Sequence, residues 1–418
     1  MSAFVPAAHQ RVVMAMLSGR TERWLGEEPA QSIARISWND FLSETDDSVK
    51  PYLHWASGRP PFDALIPPYV KEALAREHRA VEVRTLRWTS ELRTLLAAFE
   101  EHRLACMLVK GSALQRTIYP LPSTRPMGDV DLVVRIEQME QAKTILEQRG
   151  FMLRSPVESQ TPLPGMRPDE ETCFVKPVGK NVLFVEVHTR VDAADPELSI
   201  SPRPLWDLRV CSAGGDGLAF STLEPTAALL HICIHQSVQH RFARGLLWLL
   251  DVKLFVDRYG SQIEWDRLIR DCSPAVQPHV ALTLGLASDW LGADVPAKAR
   301  ALKSAEVRES ATELVWGQVW DFVRGRRPPG SLVVILMSRD WSRMSDHFRV
   351  RWKQWTTPIP GRHHSPAALL ARRIWTDLGV YGAALRGGGF AWSGLRTAHR
   401  SEQRAQQLET LLSGPADR

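Results

Sequence analysis

The spacing of hydrophobic positions changes twice along the chain. Between about Ala80 and Arg103, apolar residues recur at intervals of three, four and six, which predicts an amphipathic helix. Short apolar runs separated by Gly and Pro follow, and these predict β-strands. From Glu224 onward the helical spacing returns. The pattern predicts an α+β fold that is mainly helical and contains a small mixed sheet.

The predicted strands lie in the middle of the chain. The last two flank a Gly-Lys-Asn turn at residues 179–181, so we expect them to pair as an antiparallel hairpin. Pro225 then suits the first position of a helix. The predicted strands cover residues 104–109, 129–134, 151–153, 173–178 and 182–189.

The same changes in pattern divide the chain into four predicted segments. An N-terminal helical region contains separate short helices near Val12, Trp38 and Tyr69 and is interrupted by several prolines. A small α/β core, a helical bundle and a basic helical extension follow. These four segments cover residues 1–78, 79–222, 223–300 and 301–418.

Composition narrows the class of protein. The chain has 418 residues, of which 44% are hydrophobic and 24% charged, as in ordinary globular proteins. It contains no run of 18 apolar residues, so no membrane span is predicted. Its five scattered cysteines form no C-x-x-C pair, which favours a reducing, cytoplasmic location.

Positive charge is concentrated at the C-terminal end. The whole chain has a net charge of +5, whereas residues 301–418 hold 18 Lys and Arg against 10 Asp and Glu, a net +8. Such a segment can bind nucleic acid or an acidic partner. Alternatively, its arginines can cover the apolar surface of a helical core.

The strongest candidate for chemistry is the pair Asp129 and Asp131. Side chains two apart on a strand point to the same face, so both carboxylates are predicted to lie together, with Val130, Leu132 and Val134 on the buried side. Two like charges repel, and a divalent cation such as Mg²⁺ removes that cost. Asn at either Asp is therefore expected to leave the melting temperature unchanged or raised. The alternative is a pair of solvated acids on an edge strand.

Two neighbours in the sequence, together with a later strand, favour a phosphate site over solvated acids. Gly111 and Ser112 follow a predicted strand and open a helix, where unpaired backbone N–H groups suit a phosphate. Lys110 precedes them and is either a phosphate contact or a solvated strand end. Arg125 lies just before the paired acids and could clamp a phosphate.

A later strand repeats the two-residue spacing with Glu186 and His188. Their shared face opposes the apolar Leu183, Val185 and Val187, which is unusual for a strand that only packs. Glu186 offers a third carboxylate. His188 could order the nucleotide or Glu186, or be a half-buried strand residue.

Two further features lie in the predicted bundle. His231 and His235 are four residues apart on one helix face, and they could bind zinc, contact the active-site cleft or pack in the core. Asp251 follows an apolar run, so it must be paired if buried. Arg244, two turns earlier, is its expected partner.

These motifs occur in a recognisable order. The sequence resembles the uncharacterised nucleotidyltransferase family of the polymerase-β-like superfamily, over about residues 10–300. Two departures from the wider superfamily are the sixteen residues between Ser112 and Asp129, and a Glu as the third carboxylate. The resemblance rests on LVKGSAL (108–114), Tyr119, RPMGDVDLVV (125–134), GF (150–151), VEVH (185–188), His231, His235, LWLLD (247–251), Trp265 and the helical segment with Trp38.

The resemblance implies a core that uses two Mg²⁺ ions. Asp129 and Asp131 would hold the ion that bridges the triphosphate, and Glu186 would be shared with the ion near the acceptor hydroxyl. Gly111 and Ser112 would cradle the terminal phosphates. One ion neutralises the leaving pyrophosphate, and the other lowers the pKa of the attacking oxygen.

The expected function is transfer of a nucleoside monophosphate from an NTP, ATP being the default donor because it is abundant. The acceptor is a hydroxyl or phosphate of a small molecule, sugar, peptide or protein. Two alternatives remain: an inactive nucleotidyltransferase fold that binds a nucleotide or protein, and a nucleic-acid-modifying enzyme that uses the basic C-terminal segment.

Overall fold

The chain folds into a mainly helical α+β structure around a small mixed sheet, as the sequence predicts. No helix within the described residues is both long enough and apolar enough to cross a membrane. The computed structural model describes residues 6–34, 36–153, 171–191, 200–201, 203–302, 304–323 and 389–413.

The central sheet has five strands in the order β1-β2-β5-β4-β3. Strands β2 and β5 run parallel, and the other neighbours run antiparallel. The β4–β5 pair confirms the predicted hairpin. The strands are β1 (Cys106–Leu108), β2 (Val130–Val134), β3 (Met152–Leu153), β4 (Glu171–Val178) and β5 (Asn181–His188).

A second sheet and the bundle helices follow. Pro225 occupies the first turn of its helix, as predicted, and Gly292 ends α13 with φ of 75°, in the left-handed region that glycine tolerates. The elements are β6 (Arg209–Ala213), β7 (Ala219–Leu223), α10 (Pro225–Ile234), α11 (Leu247–Tyr259), α12 (Trp265–Asp271) and α13 (Gln277–Leu291).

The helices before β5 include one of 34 residues. The separate helices predicted near Tyr69 and from Ala80 are parts of this single helix, α7, because no Pro or Gly interrupts the sequence after Pro68. The helices are α1 (Ala8–Ser18), α2 (Thr21–Leu25), α3 (Pro29–Ala34), α4 (Trp38–Ser43), α5 (Lys50–Ser57), α6 (Phe62–Leu65), α7 (Pro68–Glu101), α8 (Lys110–Thr117) and α9 (Met139–Gln148).

The two faces of β2 contact different cores. Val130, Leu132 and Val134 pack with apolar residues of α7 and α9, on the side that the sequence predicts to be buried. Val133 belongs to the other core, which includes α1, α10, α11 and α13. Because side chains alternate along a strand, the Asp131 carboxylate lies on the Val133 side, toward the helical bundle.

Part of the basic C-terminal segment belongs to the folded body. Its two described helices are α14 (Ala305–Val323) and α15 (Gly389–Ser413), and residues 324–388 lie outside the described part. The Trp316 ring stacks on Trp24 of α2, with centroids 6.0 Å apart. The Gln318 side chain donates to the Ser401 carbonyl at 2.8 Å, which ties α14 to α15.

Candidate active site

The pairing of β2 with β5 sets the geometry of the site. In this parallel register Asp131 lies beside Glu186, and Val133 lies beside His188. Equivalent positions on neighbouring parallel strands point to the same face. The D-x-D and E-x-H motifs, 55 residues apart, are therefore brought side by side.

Asp131, Glu186 and His188 form a compact cluster. One ligand atom from each lies within 4.8 Å of the others. His188 Nε2 is 3.2 Å from Asp131 Oδ1 and 3.8 Å from Glu186 Oε2. Asp131 is only 3% exposed. Two carboxylates and an imidazole at this spacing are a donor set that fits a divalent cation.

Lys110 completes the charge balance of this cluster. Its Nζ lies 2.7 Å from Asp131 Oδ1. Burial alone would lower the pKa of Lys110, but the charge of Asp131 and its hydrogen bond, together with the charges of Glu186 and Asp129, raise it. Lys110 therefore contacts one carboxylate and attracts all three.

The two acids of the D-x-D motif have opposite electrostatic environments. Burial would raise the pKa of Asp131, but Lys110 and His188 hold it well below its usual range. Burial and the neighbouring Asp131 charge raise the pKa of Asp129, which precedes β2 and is half-buried. A cation at this site would lower the cost of ionising Asp129 more than that of ionising Asp131, because Asp131 already has Lys110 and His188 as partners.

Ser112 and Gly111 hold α8 against the sheet. The Ser112 hydroxyl is fully buried, and it lies 2.6 Å from the Val109 carbonyl and 3.1 Å from the Asp131 carbonyl. A Cβ on Gly111 would lie 2.5 Å from Arg125 Nη1. The glycine is therefore needed for close approach to a buried guanidinium, while the first-turn N–H groups of α8 have no capping side chain.

Arg125 is held in a buried network. Its Nε donates to Asp251 Oδ1 and its Nη2 to Asp251 Oδ2, both at 2.7 Å. The Tyr119 hydroxyl also donates to Asp251 Oδ1 at 2.7 Å. The prediction that Asp251 pairs with Arg244 is wrong, because the fold brings Arg125 to it from 126 residues away. Arg244 lies instead near Asp129, where its positive charge opposes the rise in the pKa of that carboxyl.

A cluster of histidines lies next to the carboxylates. His231, of α10, lines the same cavity as Lys110, so this helix borders the site. The His235 and His240 rings have centroids 4.4 Å apart, with their Nε2 atoms 3.0 Å from each other. The predicted pair therefore has a third member, His240, which the i, i+4 spacing missed.

The third histidine is placed by an irregular segment. Residues His235–Gln239 form a π-helix directly after α10, a distortion that is frequent at functional sites. Burial lowers the pKa of His231 and of His240 to about 3. Both rings are therefore neutral at neutral pH.

A comparison with known protein families finds a match. The chain belongs to the family of uncharacterised nucleotidyltransferases, whose model matches residues 36–292. That range contains both carboxylate motifs, the Lys-Gly-Ser segment and the histidine cluster. No curated protein and no solved structure matched the chain.

Proposed function

We propose that the protein is a Mg²⁺-dependent nucleotidyltransferase that moves a nucleoside monophosphate from an NTP, by default ATP, to an acceptor hydroxyl or phosphate. The observation that carries the proposal is the side-by-side placement of Asp131 and Glu186, with Lys110 and His188 on the same carboxylate. The family membership supports the reaction class.

Asp129, Asp131 and Glu186 would hold two Mg²⁺ ions. When bound, the ions neutralise the triphosphate and activate the acceptor oxygen. Lys110 keeps Asp131 ionised and adds a positive charge beside the phosphates. His188 orients Asp131 through its Nε2.

The start of α8 would bind the triphosphate. Backbone N–H groups of Gly111 and Ser112 belong to its first turn, where they have no intrahelical partners and favour an anion. Arg125 packs against this turn: its guanidinium is hydrogen-bonded to Asp251 and lies against Gly111. We therefore assign Arg125 to positioning α8 in place of the phosphate clamp expected from its sequence position.

Incubation with α-phosphate-labelled ATP, GTP, CTP or UTP, Mg²⁺ and a cell extract tests the proposal. Label should appear on an acceptor with the wild-type protein and be absent with Glu186→Gln, a variant of nearly equal shape. Nucleotide binding without any labelled acceptor or pyrophosphate would favour the inactive binding protein. Label on RNA or DNA, with a steep salt dependence, would favour the nucleic-acid enzyme.

A further inference from the structure

A cavity of about 220 Å³ lies beside Lys110. It is enclosed by α8, the β6–β7 sheet, α10 and α11. Apolar side chains such as Leu114, Ile232 and Phe255 form most of its wall. Pockets that enclose whole drug-sized ligands measure about 300–1,000 Å³, so this cavity suits a ring-sized group and is too small for a complete nucleotide.

The lining carries one charge among the described residues. That charge is Lys110, and it is already paired with Asp131 at 2.7 Å. Other polar side chains of the lining, for example those of Ser212, Thr222 and Gln262, are uncharged. Away from Lys110, a phosphate or carboxylate group would have no counter-charge in this lining, so that part of the cavity suits an uncharged group.

His231 supplies an unused hydrogen-bonding atom at this cavity. The residue is 2% exposed and lines the cavity, and its buried Nε2 has no hydrogen-bond partner among the described residues. The ring is hydrogen-bonded to the backbone of Val191. In a neutral imidazole whose other nitrogen donates that bond, Nε2 is an acceptor. A ligand O–H group would satisfy it.

We propose that this cavity binds the uncharged, hydroxyl-bearing end of the acceptor, whose O–H donates to His231 Nε2. The inference rests on the proposed function and narrows its acceptor to an alcohol or phenol on an apolar body. His231 and Lys110 line the same cavity, and Lys110 Nζ is 2.7 Å from Asp131 Oδ1, so the hydroxyl would be near the carboxylates. In transfer, the acceptor oxygen bonds to the α-phosphorus, the bond from that phosphorus to the pyrophosphate oxygen breaks, and the hydroxyl proton leaves with the pyrophosphate.

The full-length protein can be tested with benzyl alcohol and toluene, which differ by the hydroxymethyl group. In saturation-transfer NMR titrations, benzyl alcohol should bind about tenfold more tightly than toluene. This ratio corresponds to about 1.4 kcal/mol, the net contribution of one hydrogen bond. His231→Phe should remove this preference and retain toluene binding. Ala228→Leu, which fills the cavity from α10, should weaken both ligands. Melting curves check that the variants are folded. If His231→Phe does not fold, Ala228→Leu still tests whether the alcohol binds in this cavity.

Binding of Mg²⁺–ATP is measured on the same variants. It should be unchanged, because the cavity is assigned to the acceptor. Absence of benzyl alcohol binding, or binding that Ala228→Leu does not affect, would overturn the inference. Loss of Mg²⁺–ATP binding in Ala228→Leu would also overturn it and would make the cavity the nucleobase site. If the wild type binds no Mg²⁺–ATP, the proposed function fails, whereas the alcohol measurements still judge the cavity separately.

Discussion

Asp251→Ala should destabilise the protein by about 3–5 kcal/mol, the usual cost of removing one member of a buried ion pair. Asp251 accepts three hydrogen bonds, two from Arg125 and one from Tyr119, and it is 2% exposed. Its removal leaves the Arg125 guanidinium buried without a counter-charge. Because the free energy of unfolding of a typical protein is about 5–15 kcal/mol, this loss is a large share of the protein's stability.

Urea unfolding followed by tryptophan fluorescence measures the effect. Glu140→Ala is the control: its partner Lys143 is 2.7 Å away, but the pair is at the surface, so its loss should stay within about 1 kcal/mol. The double variant Arg125→Met/Asp251→Leu should cost clearly less than the sum of its single variants, since neither residue is then left unpaired. A loss below about 1 kcal/mol for Asp251→Ala, or strict additivity, would refute the role given to this network.

Three other outcomes follow from the structure. Asp131→Asn should lower the melting temperature, because Lys110 and His188 lose their charged partner, whereas Asp129→Asn should leave it unchanged or raised; equal shifts in calorimetry would contradict this. The pKa of His231 is about 3 and an unfolded histidine titrates near 6.5, so the unfolded chain takes up a proton first as pH falls. Urea titrations should therefore show the free energy of unfolding decreasing below about pH 6.5, with a limiting slope of about 1.4 kcal/mol per pH unit for this group; a flat profile between pH 6.5 and 4 would oppose a buried neutral ring. Removal of residues 301–418 should unfold the protein, because it exposes the core around Trp316 and Trp320; a soluble, cooperatively melting truncation would contradict this.

The sequence predicts the local geometry of the site well. Two-residue spacing places Asp131 opposite Leu132, and Glu186 and His188 opposite Val187, as the structure has them. Strand alternation depends only on the local backbone, so a single sequence is sufficient for it.

Pairings between distant segments could not be predicted in this way. Arg244 is near Asp251 in sequence, yet the tertiary fold brings Arg125 to Asp251, which lies on α11. The prediction that Asn at either Asp129 or Asp131 leaves the melting temperature unchanged or raised considers only the repulsion between the two acids. It omits Lys110, whose Nζ the turn that opens α8 places 2.7 Å from Asp131 Oδ1. His240 joins the histidine cluster through a π-helix, for which helical spacing gives no signal.

Pyrophosphate release from Mg²⁺–NTP is the most direct test of the carboxylate site. Release should require both Mg²⁺ and the acceptor present in extract, and Glu186→Gln should reduce it at least about 100-fold, the usual scale when transition-state charge stabilisation is removed. The Glu140→Ala protein should retain wild-type release, since that residue lies on α9 at the surface. Equal release by the wild type and by folded Glu186→Gln would contradict the assignment of Asp131 and Glu186 as the centre of nucleotidyl transfer.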